Sequence, residues 1–390
     1  MRIAIATPHR RVAGGAESYL RVLMPRLASL GHELLFCWEH DGLGSNERAL
    51  DEAFGVRGHS LTAMEPLGRI ASFKPDVVYT HGLSDSALEG ELARSYPTVL
   101  YAHNFFATCV SGTKRWKDHP GEPCSRVLSF RCLAAYLPHG CGGRNLLKAA
   151  VLYRQAARAN RNLGRFRRVL VASRFMETEY GRHTATPVHV LPYPLTIEVP
   201  QSAPKAPPVG RAEILFLSRL TPLKGGVELV RAVHEAQRHG PFKLRLHVAG
   251  GGPDREAIEL AARELGVDAV LHGWVTAENR ERLLREAHLL AMPSTWPEPF
   301  GLSGVEAGAF GVPSIAYRFG GIPDWLEPGV NGELAEAGAN GTSNLAAALN
   351  KVLADPGAYA RYSQGARNAA ARYGTEAHIE RLLKHFEEVL

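Results

Sequence analysis

The chain has 390 residues, more than one hydrophobic core usually supports, so its length predicts two domains of just under two hundred residues each. No apolar run reaches the ~20 residues of a membrane span, and the first residues lack the continuous apolar core of a secretory signal. The formal net charge of +6 is uneven, with 25 Lys and Arg against 16 Asp and Glu in residues 1–195, and 20 against 23 in residues 196–390. We expect a cytoplasmic protein whose basic excess lies in its first half.

The opening residues predict one β-α-β unit. An apolar strand over 2–7 precedes a glycine-containing loop, an amphipathic helix runs to about Leu30, and a second strand follows Gly31. Further strand-like runs lie at 76–82, 98–106, 169–175 and 189–194. Strands that alternate with helices predict a parallel sheet that binds ligands at the carboxyl ends of its strands. We place a first domain over residues 1–198.

Residues 144–174 carry much of the positive charge. Six basic residues, most of them three or four positions apart, are Arg144, Lys148, Arg154, Arg158, Arg161 and Arg165. On a helix this spacing would place them along one face. A solvated face is the ordinary interpretation, and the functional alternative is contact with anionic lipid headgroups, at the inner face of the membrane, or with an acidic acceptor. Nucleic acid is not expected, because no nucleic-acid module or aromatic stacking platform accompanies the stripe.

Cysteines and histidines are concentrated between residues 103 and 141. They are Cys109, Cys124, Cys132, Cys141, His103, His119 and His139. The paired Cys-x-x-Cys spacing of zinc sites is absent, and a cytoplasmic chain should keep its thiols reduced. A structural metal on the four cysteines stays an open alternative, and our predicted site contains no metal.

A proline-rich stretch over 199–213 predicts a linker, after which the β-α alternation restarts. Strands are predicted at 213–219, 243–250, 269–274, 288–294 and 312–317, with helices at 226–239, 254–265 and 277–287. We place a second domain over 199–372, and the residues 373–390 predict an amphipathic helix that packs back toward the first domain. The predicted fold class is α/β, with two Rossmann-like, doubly wound parallel-sheet domains that face a central cleft.

Two cations flank the first turn of the second domain. Arg219 follows a strand and Lys224 precedes a helix, whose amino terminus adds partial positive charge, so this turn predicts a diphosphate site. In the first domain, Gly14 and Gly15 follow the first strand, where glycines let backbone N–H groups approach a ligand. The dinucleotide fingerprint Gly-x-Gly-x-x-Gly and the phosphate loop ending in Gly-Lys-Ser/Thr are absent, so neither NAD nor an ATP held in a P-loop is expected.

A pair of carboxylates marks the second domain. Glu298 lies between Pro297 and Pro299, and Glu306 follows it after seven residues. The prolines restrict the loop, and Gly301 then leads into a short helical stretch. A carboxylate held in such a loop is costly unless a ligand uses it.

Several segments of the second half resemble, in order and approximate spacing, the retaining, nucleotide-sugar-dependent glycosyltransferases of family four, which have the GT-B fold. They are SRLTPLKGGVELV (218–230), GGGPDRE (250–256), HGWV (272–275), PSTWPEPFGLSGVEAGAFGVPSIAY (293–317) and GGIPDWLEPGVNGEL (320–334). In the first half, GGAE (14–17) and YAHN (101–104) also match. Residues 107–145 do not match and resemble a variable acceptor-side insertion seen in some relatives.

The resemblance implies a role for each matching residue. Glu298 would hydrogen-bond the hydroxyls of the donor sugar, and Glu306 those of the ribose. Arg219 and Lys224 would bind the pyrophosphate. The other implied contacts are Gly14 and Gly15 facing the phosphates, the main chain of Phe300, Gly301 and Leu302 at the sugar and phosphate oxygens, Val275 at the base, and His103 near the anomeric centre.

The implied reaction moves a sugar, with retention, from a nucleoside-diphosphate sugar to a hydroxyl of a glycan, a lipid-linked intermediate or a small molecule. The donor would be a UDP- or GDP-sugar, and no cofactor or metal is expected, because the chain contains no Asp-x-Asp. Tyr193-Pro194 and Asp324 depart from the family pattern, and these departures leave the identity of the donor open. A GT-B nucleotide-sugar epimerase and a catalytically silent nucleotide-sugar-binding subunit remain open alternatives.

Overall fold

A computed structural model describes residues 1–12, 14–41, 48–63, 65–118, 121–143, 145–199 and 204–390. Arg144 of the basic stripe, His119 of the cysteine-rich segment and residues 200–203 of the predicted linker lie outside the described residues. The chain forms two compact units. The first unit contains Met1–Lys114, Ser125–Thr196 and Gly374–Leu390, and the second contains Arg115–Cys124 and Ile197–Tyr373. Arg115–Cys124, together with residues 197 and 198, therefore belong to the second unit although they lie within the range 1–198.

The first unit is built on a seven-stranded sheet in which every strand pair is parallel. Its strands are β1 Arg2–His9, β2 Glu33–His40, β3 Arg57–Ser60, β4 Val77–Thr80, β5 Thr98–Ala102, β6 Arg168–Val171 and β7 Val188–Val190. Its helices are α1 Gly15–Ser29, α2 Leu50–Phe54, α3 Gly68–Phe73, α4 Ser86–Ser95, α5 Arg131–Tyr136, α6 Leu146–Leu163 and α7 Arg174–Gly181. Residues 3–6 of β1 are all buried, because helices cover both faces of a parallel sheet.

The second unit repeats this architecture with six parallel strands. They are β8 Arg211–Leu217, β9 Lys243–Ala249, β10 Asp268–Gly273, β11 Leu289–Met292, β12 Ser314–Tyr317 and β13 Gly332–Ala335. The α-helices are α8 Gly226–His239, α9 Arg255–Glu264, α10 Ala277–Glu286, α11 Leu302–Ala309, α12 Gly341–Leu353 and α13 Pro356–Ala371, and short 3₁₀ turns cover Pro222–Lys224 and Ile322–Asp324. The last helix, α14 Thr375–Glu387, belongs to the first unit. The predicted α/β class with two parallel sheets is confirmed.

The order of the strands shows where each sheet can bind a ligand. The first sheet runs β3-β2-β1-β4-β5-β6-β7 and the second β10-β9-β8-β11-β12-β13. The order reverses between β1 and β4 in one sheet and between β8 and β11 in the other. At such a reversal the connections leave in opposite directions and open a crevice at the carboxyl ends of the strands. Arg219 follows β8 and the proline-flanked Glu298 follows β11, so the second crevice holds the predicted diphosphate and sugar residues.

Several predicted elements end earlier than the sequence indicated. The strand expected over 98–106 stops at Ala102, and the basic helix α6 stops at Leu163, so Arg165 lies in the following turn and not on the helical face. The sixth strand of the second sheet, Gly332–Ala335, was not predicted, because four residues of the composition Gly-Glu-Leu-Ala have little strand propensity. No helix in the described part of the chain is long and apolar enough to span a bilayer.

Candidate active site

A glycine turn fixes the position of Arg219. A β-carbon on Gly250 would lie 1.8 Å from the carbonyl oxygen of Ser218, and one on Gly252 would lie 2.2 Å from that of Leu220. Both glycines have positive φ, and the Leu220 N–H donates to the Gly251 carbonyl at 2.8 Å. The sequence alone indicates no function for this glycine turn. In the structure its backbone packs against residues 218–220 and so supports the turn that carries Arg219. Arg219 is exposed, and its guanidinium has no ion-pair partner in the described ranges.

Lys224 and Glu298, 74 positions apart in the chain, form an ion pair with 2.5 Å between Nζ and Oε1. Oε1 also accepts hydrogen bonds from Ser294 Oγ at 2.5 Å and Trp296 Nε1 at 3.2 Å. The Lys224 ammonium lies 5.4 Å from the centre of the Trp296 ring. Every hydrogen bond that the described residues make to this buried carboxylate goes to Oε1, and none of them goes to Oε2. Ser294 and Trp296 were missed from the sequence, although both flank the motif.

The backbone of Glu298 is held by a glycine pair that follows β12. Gly320 has φ of 57°, and a β-carbon there would lie 2.3 Å from the carbonyl oxygen of Glu298 and 2.6 Å from its nitrogen. The Gly321 N–H donates to the same carbonyl at 2.7 Å. Only a glycine allows this approach. The proline-flanked loop is therefore fixed from outside as well as by its own prolines.

The amino end of α11 provides backbone donors beside Glu298. Gly301, with φ of 85°, is the N-cap residue, and without a side chain it cannot cap the first N–H groups of the helix, which begin at Leu302. Phe300 is buried, and its carbonyl accepts from Trp325 Nε1 at 2.7 Å, which anchors the turn. No acidic residue lies in the first turn of α11. Unsatisfied N–H groups and an uncompensated positive helix end suit phosphate or sugar oxygens.

Glu306 lies in the same helix and is buried. Its Oε2 is 3.4 Å from a guanidinium nitrogen of Arg280, a residue of α10 that the sequence did not single out. Arg280 lies one turn beyond the predicted base-contact turn, where Val275 is half-buried and Trp274 is 74% exposed. The Gly250 N–H donates to the Gly273 carbonyl at 2.7 Å, so the same glycine turn that supports Arg219 also holds this segment.

The glycines of the first unit lie at the start of α1. Gly14 has an extended backbone that any residue could adopt, and a β-carbon on Gly15 would meet no atom within 4 Å. Packing within the described residues therefore does not explain these glycines, whereas close approach of a ligand would. The guanidinium of Arg10, which precedes this loop, donates two hydrogen bonds of 2.9 Å to the Asp51 carboxylate and is therefore engaged within the protein.

His103 follows β5 in the first unit, and both of its ring nitrogens are hydrogen-bonded. Nε2 lies 2.7 Å from His81 Nδ1, and Nδ1 lies 2.6 Å from the Tyr193 hydroxyl. Burial lowers the pKa of His103 to about 3, so its ring is neutral at pH 7. His81 follows β4 and was not noticed in the sequence, because a single histidine at a strand end carries no pattern of its own.

The cysteine-rich segment forms no metal site within the described residues. None of the five cysteines forms a disulfide, and no three His, Cys, Asp or Glu side chains in the described ranges come together as metal ligands. The segment instead contributes a buried lysine to an ion pair. Lys114 is buried, with its ammonium 2.5 Å from Glu179 Oε1 and 2.6 Å from the Arg126 carbonyl.

Two parallel-sheet units, one of which joins a lysine to a carboxylate beside a helix amino end, have the architecture of the GT-B glycosyltransferase fold. The profile described as "Glycosyltransferase Family 4" matches residues 13–198, and the profile described as "Glycosyl transferases group 1" matches residues 200–369. The chain belongs to glycosyltransferase family four.

The two related glycosyltransferases described next each align with less than half of this chain. A D-inositol 3-phosphate glycosyltransferase of Corynebacterium jeikeium is 34% identical over 183 residues, which cover 45% of this chain and 43% of the relative. A GDP-mannose-dependent alpha-(1-6)-phosphatidylinositol monomannoside mannosyltransferase of Mycolicibacterium smegmatis is 33% identical over 154 residues, or 37% of this chain and 40% of the relative. Each match thus spans well under two thirds of the relative.

Solved structures share the fold over the whole chain. Anabaena Alr3699/HepE in complex with UDP-glucose superposes with a TM-score of 0.73 at 17% identity, covering 100% of both chains. A sucrose-phosphate synthase from Thermosynechococcus elongatus gives a TM-score of 0.73 at 19% identity, covering 100% of this chain and 99% of the other.

Proposed function

We propose that this chain is a retaining glycosyltransferase that moves a hexose-type sugar from a nucleoside-diphosphate sugar to an acceptor hydroxyl. The observation that carries the proposal is the ion pair between Lys224 and Glu298, which lies in a crevice with the amino end of α11. The pair brings together an ammonium group that can bind phosphate and a carboxylate that can accept hydrogen bonds from sugar hydroxyls. Glu298 Oε2 binds the sugar, and Arg219 binds the diphosphate beside Lys224.

The proposed chemistry needs positive charge at the leaving group. The bond between the anomeric carbon and the diphosphate oxygen breaks, and the acceptor oxygen forms the new bond on the same face. The proton of the acceptor hydroxyl passes to an oxygen of the departing diphosphate. Arg219, Lys224 and the α11 N–H groups stabilise the negative charge that develops there, each charge-assisted hydrogen bond being worth about 1.5–3 kcal/mol. No divalent ion and no side-chain nucleophile takes part in the proposed step.

The donor is a UDP- or GDP-sugar in this proposal. The structural neighbour HepE was crystallised with UDP-glucose, and the name of the mycobacterial relative specifies GDP-mannose. Val275 and the exposed Trp274 lie where the family resemblance puts the base. The acceptor is a glycan, lipid-linked intermediate or small molecule, and we place the reaction in cell-surface polysaccharide or glycoconjugate synthesis.

The first experiment is a thermal-shift panel of UDP, GDP, ADP, TDP and NAD. Ligand binding to the native state raises apparent stability, so one diphosphate should stabilise the wild type. Arg219→Ala should lose that shift, whereas Arg231→Ala, which removes an exposed arginine from α8, should keep it. Stabilisation by none of the diphosphates would refute the donor site.

A second assay tests the reaction itself. Purified protein with the stabilising nucleotide sugar should release diphosphate only when a hydroxyl acceptor is added, with the anomeric configuration retained by NMR. Interconversion of sugar isomers would instead identify an epimerase, and diphosphate binding without turnover would identify the silent binding subunit.

We also propose that an apolar and basic surface on α5 and α6 binds the anionic face of a membrane. The two helices pack on Tyr136 and Ala149 and leave large apolar side chains in solvent. The exposed set consists of Val127, Phe130, Leu137, Leu146, Leu147 and Val151, with Phe130 at 71% and Leu147 at 81%. Exposed basic residues continue along the same helix α6, namely Lys148, Arg154, Arg158 and Arg161. Apolar insertion combined with attraction to anionic headgroups favours a peripheral location.

Vesicle sedimentation tests this surface. The wild type should bind vesicles that contain phosphatidylglycerol at low salt and should be released by high salt. The double variant Leu146→Ser/Leu147→Ser should bind less, while Leu260→Ser, at an exposed leucine of α9, should behave as the wild type. Equal binding by the double variant and the wild type would refute the apolar contribution.

A further inference from the structure

The two hydrogen bonds of His103 leave its ring no free nitrogen. Tyr193 lies at Nδ1 and His81 at Nε2, at 2.6 Å and 2.7 Å. The ring planes of His103 and Tyr193 differ by 13° and those of His81 and His103 by 25°, so the rings are close to parallel, as in-plane hydrogen bonds between them require. Three side chains from the ends of β4, β5 and β7 thus form one short chain of hydrogen bonds.

The relative acidity of the three groups favours one direction for this chain of hydrogen bonds. A phenol is a much stronger acid than a neutral imidazole and its oxygen is a weaker acceptor, so Tyr193 donates to His103 Nδ1. A neutral imidazole carries one proton, which must then be on Nε2. His103 therefore donates from Nε2 to His81 Nδ1, and the proton of His81 lies on its own Nε2. That nitrogen is buried and has no hydrogen-bond partner in the described part of the chain.

The loop that carries His81 is held by two buried carboxylates. Glu39 accepts from the N–H groups of Ser84 and Asp85, both at 2.7 Å. Glu89 accepts from the Leu83 N–H at 3.0 Å. These bonds fix the residues immediately after His81. His81 cannot easily follow a reoriented His103, so its Nδ1 is a fixed point for the ring.

We propose that His81 and Tyr193 are positioning residues that hold His103 as the neutral Nε2–H tautomer. This inference rests on the proposed function, in which His103 lies near the anomeric centre of the donor. With both ring nitrogens engaged in this way, His103 presents no lone pair to a sugar oxygen nearby. A neutral ring also adds no positive charge beside an anomeric carbon that becomes positive in the transition state. Tyr193-Pro194 departs from the family pattern at this position, and the departure supplies the phenol.

Selective ¹⁵N-histidine labelling tests the tautomer directly, and it does not depend on activity. In long-range ¹H–¹⁵N spectra of the wild type, the His103 signal, identified by its loss in His103→Asn, should show an unprotonated Nδ1 and a protonated Nε2. Tyr193→Phe keeps the ring but removes the phenol proton, so the Nδ1 tautomer should become populated. Tyr101→Phe is the matched control, because that hydroxyl belongs to the same aromatic group but donates to the Leu191 carbonyl at 2.6 Å. An Nδ1–H tautomer in the wild type, or no change in Tyr193→Phe, would overturn the proposal.

Kinetics give the second readout. Tyr193→Phe and His81→Phe should lower kcat by about 10- to 100-fold, as expected when a reacting group is misplaced. Their affinity for the bare nucleoside diphosphate should stay within about twofold, because that part of the donor binds the second unit in our proposal. Equal losses in Tyr101→Phe would show a merely structural effect and would refute the positioning role. A wild type with the expected tautomer but without transferase activity would refute the proposed function alone.

Discussion

Replacing Glu89 by Gln should stabilise the first unit at pH 8 and have little effect at pH 4. Glu89 is buried beside β4, where its Oε1 accepts from Thr80 Oγ1 at 2.8 Å and from the Leu83 N–H at 3.0 Å. Burial is the dominant effect and raises the pKa of this carboxyl from 4.5 to about 7, although the two hydrogen bonds lower it in part. A glutamine oxygen can accept the same two bonds, so the substitution removes only the titration.

The direction in which the stability changes with pH follows from proton binding by Glu89. Because the pKa is higher in the folded state, the stabilising contribution is full below pH 4.5 and is lost as the pH rises through about 7. Between pH 5 and pH 8 this loss amounts to roughly 2–3 kcal/mol in the wild type, at 1.36 kcal/mol for each pKa unit. The glutamine variant has no such loss. Its stability relative to the wild type should rise by the same amount, which equals about 70-fold in an opening equilibrium.

Amide hydrogen exchange measures this difference locally, which matters because two units need not unfold together. Peptides that cover β4 and β5 should be compared at pH 5 and pH 8, after correction for intrinsic rates and where reclosing outpaces exchange. Glu91→Gln is the control, since it removes an exposed carboxylate from the same helix. If Glu89→Gln and Glu91→Gln show the same pH dependence of protection, the burial argument is wrong.

Three further predictions concern the second unit. Gly320→Ala should displace the Glu298 loop and abolish most transfer, whereas Gly329→Ala, with a similar φ of 79° but no atom within 4 Å of a new β-carbon, should only lower thermal stability; similar activity in the two variants would contradict the steric argument. Glu298→Ala should reduce kcat far more than affinity for the bare diphosphate, and calorimetry that finds the larger loss in affinity would reverse its assignment to the sugar. Trp274→Ala should weaken nucleotide binding by about 1–3 kcal/mol if the exposed ring stacks on the base, and unchanged affinity would exclude this contact.

The sequence predicted those parts of the site that lie in contiguous motifs. Arg219 and Lys224 share one strand-turn-helix segment, and Glu298 and Glu306 share another, so their types and spacing were visible directly. The ion pair between Lys224 and Glu298 was not visible in the sequence, because it depends on β8 and β11 being neighbours in the sheet. The same is true of Arg280, which reaches Glu306 from a different helix.

Element types were easier to predict than their ends or their supporting glycines. Alternating apolar and amphipathic runs predicted most strands of both sheets, since the central strands, such as β4, β5, β11 and β12, are buried throughout. The predicted helix ends were wrong where the basic spacing continued past the last helical residue. In α6 the helix stops at Leu163, although Arg165 keeps the spacing. Gly320 could not be distinguished from other loop glycines, because its requirement arises from the backbone of Glu298, 22 positions earlier.

The division of the chain between the two units constrains the order in which they can form during synthesis. Residues Arg115–Cys124 leave the ribosome with the first unit but belong to the second, whose sheet begins only at Arg211. The first unit includes α14, where His378 Nε2 lies 2.8 Å from the Tyr19 hydroxyl beneath the histidine chain. This helix is translated after the whole second unit. The first unit, although begun earlier, is completed last, and the surroundings of His103 are finished only when the second unit has already been made.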